Sequence, residues 1–382
     1  MISAKNKRIL LVTETPPGTP NGFGVTLDAL FGNLDPKVIF TDKEFQEDVA
    51  GKKYLLAQVP FHRSKKHIIS FLMGKIPEWR NRYSRKWAHA HLDSGYEIVY
   101  SFVYSGSCLR YGAWLAELLG AKHFVHIADH QDEFLSNDHL IKIITSAYAK
   151  AAIGNNMKEF YEANFKQDFK VFHNPVAKQN LPFGSLKRPA FSNTRKLRIL
   201  FLGSLFKTLH AGSMDDICDA ITSIGRSGIP IELHMYGQLQ PASFLNERID
   251  GKFVKHLGTI NSENRFKLMR DYDAYVVPAT FDPHLAEKYS YSIPTKLTEI
   301  LATGRPMLFY GPKCMEAYRF CKQMNAGNLI TNRSVDNVCS FFKDLTLNFD
   351  DHEAKAHISS NRIIEEYSLD AIRDRFARFI NN

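Results

Sequence analysis

Short apolar runs alternate with longer stretches of helical spacing along most of this sequence. Arg8–Thr13 reads as a strand, followed by the loop ETPPGTPNGFG and a helix from about Val25 to Leu34. Further apolar runs stand at Ile98–Phe102, His123–Ile127, Ala149–Ile153 and Phe169–Phe172, with helical patterns between them, as at Cys108–Leu119 and Asn155–Phe165. Strands separated by helices of that length predict a parallel sheet covered on both faces. After Asn174-Pro175 the character changes. Residues 178–196, KQNLPFGSLKRPAFSNTRK, are polar, basic and rich in turn formers, and predict a linker. A second series follows at 197–205, 231–237, 253–258, 273–278, 307–310 and 328–330, and the stretch from about Asp350 to Asn382 reads as wholly helical. The chain is therefore expected to be α/β, with two doubly wound Rossmann-like domains, 1–185 and 186–365, facing across a cleft. A C-terminal helix over 366–382 could cross back to the first domain. A length of 382 residues fits this division, because single cores stop growing below that size.

One helix carries several terminal signals. In YSIPTKLTEILATGRPMLFYGP, residues 291–312, Pro294 suits a first helical position and Ser292 a cap. Ile293, Leu297, Ile300 and Leu301 recur at core-facing spacing. Gly304 can take the left-handed stop, and Pro306 prevents resumption. Ser292, Lys296 and Glu299 fall on a separate stripe. A helix start with a cation in its first turn and a carboxylate one turn on could hold a nucleotide diphosphate; a capped surface helix with a Lys/Glu pair explains the pattern equally well.

Composition is that of a soluble globular protein, with 44% hydrophobic and 23% charged residues and no apolar run long enough to span a bilayer. The opening apolar stretch is too short for a signal peptide. Five scattered cysteines without a C-x-x-C pair predict reduced thiols in a cytosol rather than a disulfide frame or zinc knuckle. The formal charge of +9 is uneven: residues 61–91 hold eight Lys/Arg against one Glu, with Phe61, Phe71, Trp79, Tyr83 and Trp87 interleaved. Such a segment suits an anionic membrane surface or, less well, nucleic acid; it is also what a solvated basic helix with inward aromatics looks like.

Two loops could carry chemistry. In PNGFGV, Gly22 and Gly24 follow a strand and precede a helix, so backbone amides could approach a phosphate or sugar; a plain turn is the simpler reading. In FVHIADHQDEF, a strand ends among His126, Asp129, His130, Asp132 and Glu133, which could bind sugar hydroxyls or move protons, or could decorate a helix N-terminus. A metal site is not expected there, because His126 and His130 lie on strand and loop rather than one helix face. The G-x-S-x-G, H-E-x-x-H, Walker and kinase patterns are absent.

The order of these motifs resembles GT-B glycosyltransferases, in particular the retaining family 4-like group that builds bacterial surface polysaccharides. RILLVTETPPGTPNGFGVTLDAL is similar to the opening strand, glycine loop and helix of that group. FKVFHNPV resembles its segment before the linker, and LRILFLGSL the first strand of its nucleotide domain. VKHLGTINSENRFKLMRDYDAYVVPATF resembles its base-binding region, and residues 291–312 match its P-x-K-x-x-E-x-x-A-x-G-x-P signature. The resemblance implies donor diphosphate on Ser292, Thr295 and Lys296, ribose on Glu299, and the base beside Thr259 and Ile260. Gly22 and Gly24 would meet the donor phosphate or sugar, and Asp129, His130 and Asp132 the reacting sugar or acceptor.

Three departures stand out. Tyr291 occupies the position of the usual first glutamate, with Glu287 as a substitute. KTLHAG replaces the usual Lys-Gly pair, leaving Lys207 or His210 to offset phosphate charge, and Gln131-Asp132 replaces an Arg-Asp pair. The implied activity is metal-independent transfer, with retention, from a UDP- or GDP-linked sugar to a lipid-linked glycan acceptor, with no other cofactor. The expected location is cytoplasmic, at the inner face of the cell membrane through residues 61–91. The alternatives are a non-catalytic GT-B scaffold, a sugar-nucleotide epimerase, or a transferase acting on nucleic acid.

Overall fold

The structure, a computed structural model, describes residues 7–19, 21–40, 48–49, 52–53, 55–56, 85–86, 88–176 and 195–382. Most of the basic segment at 61–91 and of the linker expected at 178–196 lies outside the described residues. The chain divides into two compact units, Met1–His173 with Arg373–Asn382, and Asn174–Ile372.

The first unit is built on β1 (Ile9–Thr13), β2 (Lys37–Phe40), β3 (Asp48–Val49), β4 (Lys52–Lys53), β5 (Leu55–Leu56), β6 (Ile98–Val103), β7 (Lys122–Ile127), β8 (Ala149–Ala152) and β9 (Lys170–Val171). Seven of these form a sheet in the order β5-β2-β1-β6-β7-β8-β9, every pair parallel, while β3 and β4 pair antiparallel. β1 and β6 are buried along their whole length, as strands covered on both faces should be. Helix Gly106–Leu119 makes the crossover from β6 to β7. Ser105 caps its start by accepting from the Cys108 N–H, and Gly120 ends it in the left-handed region at φ 63°. The unit is completed from the far end of the chain: Arg373 Nε donates to the Ala29 carbonyl at 2.8 Å, and the Phe376 ring stands edge-on to Phe31 at 5.0 Å.

The second unit contains β10 (Leu197–Leu202), β11 (Leu205–Phe206), β12 (Ile231–Tyr236), β13 (Leu239–Gln240), β14 (Val254–His256), β15 (Ala274–Pro278), β16 (Met307–Tyr310) and β17 (Asn328–Ile330). Its main sheet runs β14-β12-β10-β15-β16-β17, again all parallel, with β11 and β13 as a small separate pair. The apolar faces of helices Ser213–Arg226 and Val335–Leu347 pack on this sheet through Ile217, Ile221, Val338 and Phe342, all buried. In both sheets the chain order reverses beside the first strand, between β1 and β6 and between β10 and β15. That is where doubly wound sheets open a crevice at the carboxyl ends of their strands.

Two expected elements differ. The first helix runs Gly22–Phe31, three residues ahead of expectation, because Asn21 Oδ1 caps it by accepting from the Gly24 N–H. The terminal helical stretch is two helices, Phe349–Tyr367 and Leu369–Asn381. Ser368, at ψ 154°, breaks it, and the flanking backbone bonds to Val176: its N–H donates to the Tyr367 carbonyl at 2.7 Å and its carbonyl accepts from Leu369.

Candidate functional site

The stretch beginning YSIPTKLTEI is helical only from Leu297 to Ala302. Pro294 and Ser292 therefore precede the helix rather than starting it, and Lys296 holds the cap position without a side-chain cap bond. A turn intervenes, in which the Leu297 N–H donates to the Pro294 carbonyl at 3.0 Å. The turn is fastened by Asn174, whose Nδ2 donates to the Thr295 carbonyl at 3.2 Å and whose carbonyl accepts from Thr298 Oγ1 at 3.0 Å. Gly304 takes the left-handed stop at φ 67°. Ile293, Leu297, Ile300 and Leu301 are buried, as their spacing predicts.

The polar stripe converges on one feature that the sequence reading missed. Arg265, on helix Ser262–Arg270, donates from Nη2 to Glu299 Oε1 at 2.9 Å. Glu299 is 8% exposed, and its Oε2 is buried with no hydrogen-bond partner. Burial raises the Glu299 pKa, opposed by Arg265 and Lys296. Burial lowers that of Lys296, with Arg265 adding to the effect and Glu299 opposing it. The cluster thus joins two cations and one carboxylate with a spare acceptor oxygen. Buried polar atoms are nearly always satisfied, so an oxygen left over marks a place for a donor such as a hydroxyl. Nothing in the spacing within residues 291–312 points to Arg265, which comes from a different helix; only the packing reveals it.

The other expected donor residues are spread along the same carboxyl-end loops. Thr259 is exposed and Ile260 half-buried just beyond β14, after Gly258, whose carbonyl accepts from Gly237 at 2.8 Å. Ser292 is half-buried, with its N–H on the Tyr289 carbonyl at 3.0 Å. Glu287 is exposed on helix Pro283–Lys288.

Lys207 lies in a pocket of about 930 Å³, lined by Phe206, Lys207, Gly212, Gln240, Phe281 and Arg333 among others. His210 stands on the short helix Lys207–His210, where its Nδ1 accepts from the Phe206 N–H at 3.1 Å. Burial lowers its pKa to about 4, against a hydrogen bond to the Phe206 backbone that raises it.

In the first unit, Gly24 has a structural reason of its own. A Cβ there would stand 2.5 Å from the Thr19 carbonyl oxygen, and its N–H is used by Asn21. Gly22 begins the helix and is half-buried. Asp129, His130 and Asp132 follow β7 directly. The His130 Nδ1 lies 2.9 Å from the Tyr161 hydroxyl, and its Nε2 lies 3.5 Å from Asp132 Oδ1. Burial lowers the His130 pKa against the pull of both aspartates. Burial also raises that of Asp129, whose Oδ1 accepts the His130 N–H at 3.0 Å. A half-buried imidazole between two carboxylates can shuttle a proton or hold hydroxyls. His126 does not join them. It is fully buried within β7, its Nδ1 2.9 Å from the Tyr100 hydroxyl. Glu133 turns away from them to accept from the Gly106 N–H at 2.5 Å, which uses up an amide of helix Gly106–Leu119. Glu14, which the sequence pattern did not single out, is buried at the end of β1 and accepts from Tyr104 N–H at 3.1 Å and from Ser105 Oγ.

No protein-family model matches the sequence, and no curated protein does. Solved structures resemble it over nearly its whole length. Anabaena Alr3699/HepE in complex with UDP matches with a TM-score of 0.70 at 14% identity, covering 98% of this chain and 99% of that one. A glycosyltransferase from Rickettsia africae ESF-5 matches with a TM-score of 0.68 at 13% identity, over 99% and 100% of the two chains. The sucrose-phosphate synthase (tll1590) from Thermosynechococcus elongatus matches with a TM-score of 0.66 at 12% identity, over 98% of each chain. The fold is GT-B.

In this GT-B chain, the polar candidates of each unit follow the carboxyl ends of parallel strands, some on loops and some on helices such as Lys207–His210 and Leu297–Ala302. Among the described residues no group of three His, Cys, Asp or Glu could hold a metal ion. No described helix is long and apolar enough to cross a membrane.

Proposed function

We propose that this chain is a glycosyltransferase that takes a sugar from a nucleoside-diphosphate donor. The observation that carries the reading is the buried Glu299 carboxylate, tied to Arg265 through one oxygen and without a partner on the other. A ribose presents adjacent hydroxyls that would donate to that oxygen, and Lys296 beside it would meet the diphosphate. Arg265, Lys296 and Glu299 together carry one net positive charge. Burial and Arg265 depress Lys296, and the negative charge of an arriving phosphate would oppose both. Support also comes from the structural likeness to HepE, which has been crystallised with UDP and with UDP-glucose.

The remaining roles follow from the sequence resemblance. Thr259 and Ile260 border the base. Ser292, Thr295 and Lys207 attend the phosphates, Glu287 and the Gly22–Gly24 loop the transferred sugar, and Asp129, His130 and Asp132 the acceptor. In the reaction, the bond from the anomeric carbon to the diphosphate breaks as a bond to an acceptor hydroxyl forms on the same face. The hydroxyl proton passes to the leaving phosphate, and fixed cations stabilise the negative charge growing there. Configuration is retained without a metal. The acceptor is a lipid-linked glycan of surface polysaccharide synthesis, and residues 61–91 hold the enzyme at the inner face of the membrane.

The test is a thermal-shift panel of UDP- and GDP-sugars on the full chain, followed by chromatographic assay of nucleoside diphosphate released with glycan acceptors. One donor should stabilise the protein and be turned over. Stabilisation without turnover by any donor would favour a binding scaffold, the reading that Tyr291 in place of a glutamate suggests. No stabilisation by any nucleotide would overturn both.

A further inference from the structure

The pocket of the second unit holds a cation to which the roles above give no work. Its walls come from the chain after β10 (Phe206 to Gly212) and after β15 (Thr280 to Leu285), the neighbouring strands between which the order of the sheet reverses. A crevice at such a point is where this type of sheet binds ligands, and about 930 Å³ is ample for one. Arg333, from the loop after β17, reaches into the same pocket.

Its guanidinium is held in place. Nε donates to Asp216 Oδ2 at 2.9 Å and Nη2 to Asp216 Oδ1 at 3.1 Å. Asp216 is 6% exposed and also accepts from the Tyr310 hydroxyl at 2.8 Å, which in turn accepts from the Ser334 N–H at 2.8 Å. Gly212 makes the room: a Cβ there would stand 3.2 Å from the guanidinium carbon, and its φ of 77° also disfavours a side chain. The arrangement spends one edge of the fork on Asp216 and leaves Nη1 without a partner among the described residues. The Lys207 ammonium likewise makes no ion pair or hydrogen bond among them. The acid in the lining, Asp282, is occupied in capping its own helix by accepting from the Leu285 N–H at 3.0 Å. Phe206, Phe281 and Pro241 supply apolar surface, and Gln240 and Thr280 supply hydrogen-bonding groups beside it. A fixed planar fork and an ammonium lining one pocket, with rings and an amide beside them, suit a phosphate that carries a sugar.

We propose that Arg333, oriented by Asp216, acts with Lys207 to bind the distal phosphate of the donor, and so distinguishes a nucleoside diphosphate from a monophosphate. The proposal rests on the nucleotide-sugar reading. It is tested by calorimetric titration of the full chain with the nucleoside, its monophosphate and its diphosphate. Arg333→Gln should weaken the diphosphate about ten- to a hundredfold, as expected for losing a charge-assisted bond, and leave the monophosphate within about threefold. Arg333→Lys, which keeps the charge beside Asp216 but not the planar fork, should show the same selectivity with a smaller loss. It also serves if the glutamine variant fails to fold. Equal losses for both nucleotides, or no loss, in the folded variants would overturn the role of Arg333 while leaving the enzyme assignment intact. A wild-type chain that binds none of the three would instead remove the reading on which the proposal rests.

Discussion

Arg265 Nη2 lies 2.9 Å from Glu299 Oε1, while the other oxygen of that carboxylate is buried without a partner. The two residues should therefore fail differently when changed. Arg265→Ala takes from the buried carboxylate its hydrogen-bonded cation and leaves only Lys296 near it; breaking a buried pair typically costs about 3–5 kcal/mol, and the urea midpoint of the second unit should fall toward that range. Glu299→Gln keeps an acceptor for Arg265 while removing a buried charge, so its midpoint should move far less. Its nucleotide affinity should nonetheless fall about tenfold or more, the loss expected for a hydrogen bond to a charged group. If both variants unfold alike and bind alike, the pair is structural only.

Acid should weaken the first unit through histidines held neutral. His126 is fully buried, and burial lowers its pKa from 6.5 to about 3; His123 is lowered to about 4 for the same reason. Below pH 6.5 the unfolded chain takes up these protons and the folded chain does not, so stability falls as pH falls. The decline continues until the folded pKa values are reached. At pH 5, His126 alone should cost about 2 kcal/mol. His126→Gln removes one proton from the linkage, and the slope of stability against pH between 6 and 4 should become shallower by that amount. An unchanged slope would mean that His126 is protonated in the fold.

The sheets were legible because parallel strands buried on both faces are near-continuous apolar runs: Met307–Tyr310, buried throughout, coincides with the strand expected there, and so does the half-buried edge strand Asn328–Ile330. Helix starts were less legible, since a start depends on which side chain wins the cap. Asn21 drew the first helix forward to Gly22, and the hold of Asn174 on the Thr295 carbonyl accompanies a turn where Pro294 suggested a helix. Pairings across the fold were not legible at all. Lys296 and Glu299 share a stripe visible in sequence, but Arg265 reaches them from another helix, and Arg333 reaches Asp216 across 117 positions. His126 looked like a neighbour of Asp129 by proximity. Strand alternation instead sends its side chain into the core, where the Tyr100 hydroxyl receives it.

Gly237 and Gly251 make a paired test of backbone approach. Both have positive φ, 150° and 70°. A Cβ on Gly237 would stand 1.8 Å from the Gly203 carbonyl oxygen, at the carboxyl ends of β12 and β10, whereas one on Gly251 meets nothing within 4 Å. Gly251→Ala should cost only the left-handed penalty, about 1–2 kcal/mol. Gly237→Ala must push two backbone segments apart and should cost about 3 kcal/mol or more, with nucleotide binding weakened alongside, because Lys207, proposed to attend the phosphates, lies on the chain after β10. Chemical denaturation of the two variants gives the comparison, and similar midpoints would show that the loops yield freely.

The basic segment at 61–91 makes a prediction independent of the donor site. Its eight Lys/Arg against one Glu, interleaved with five aromatics, should bind vesicles containing anionic phospholipid and ignore neutral ones. Each cation near such a surface is worth about 1 kcal/mol, so replacing Lys65, Lys66, Arg80 and Arg82 by Gln should weaken partitioning by roughly a thousandfold. High salt should mimic the substitutions, since screening shortens the reach of the surface potential to a few ångströms. Nucleotide binding by the same variant should be unchanged, because none of the proposed donor residues lies in the segment. Sedimentation with vesicles of graded anionic content measures the effect. Equal binding to neutral and anionic vesicles, or binding that survives the four substitutions at low salt, would remove the electrostatic account and leave these cations as an ordinary solvated face.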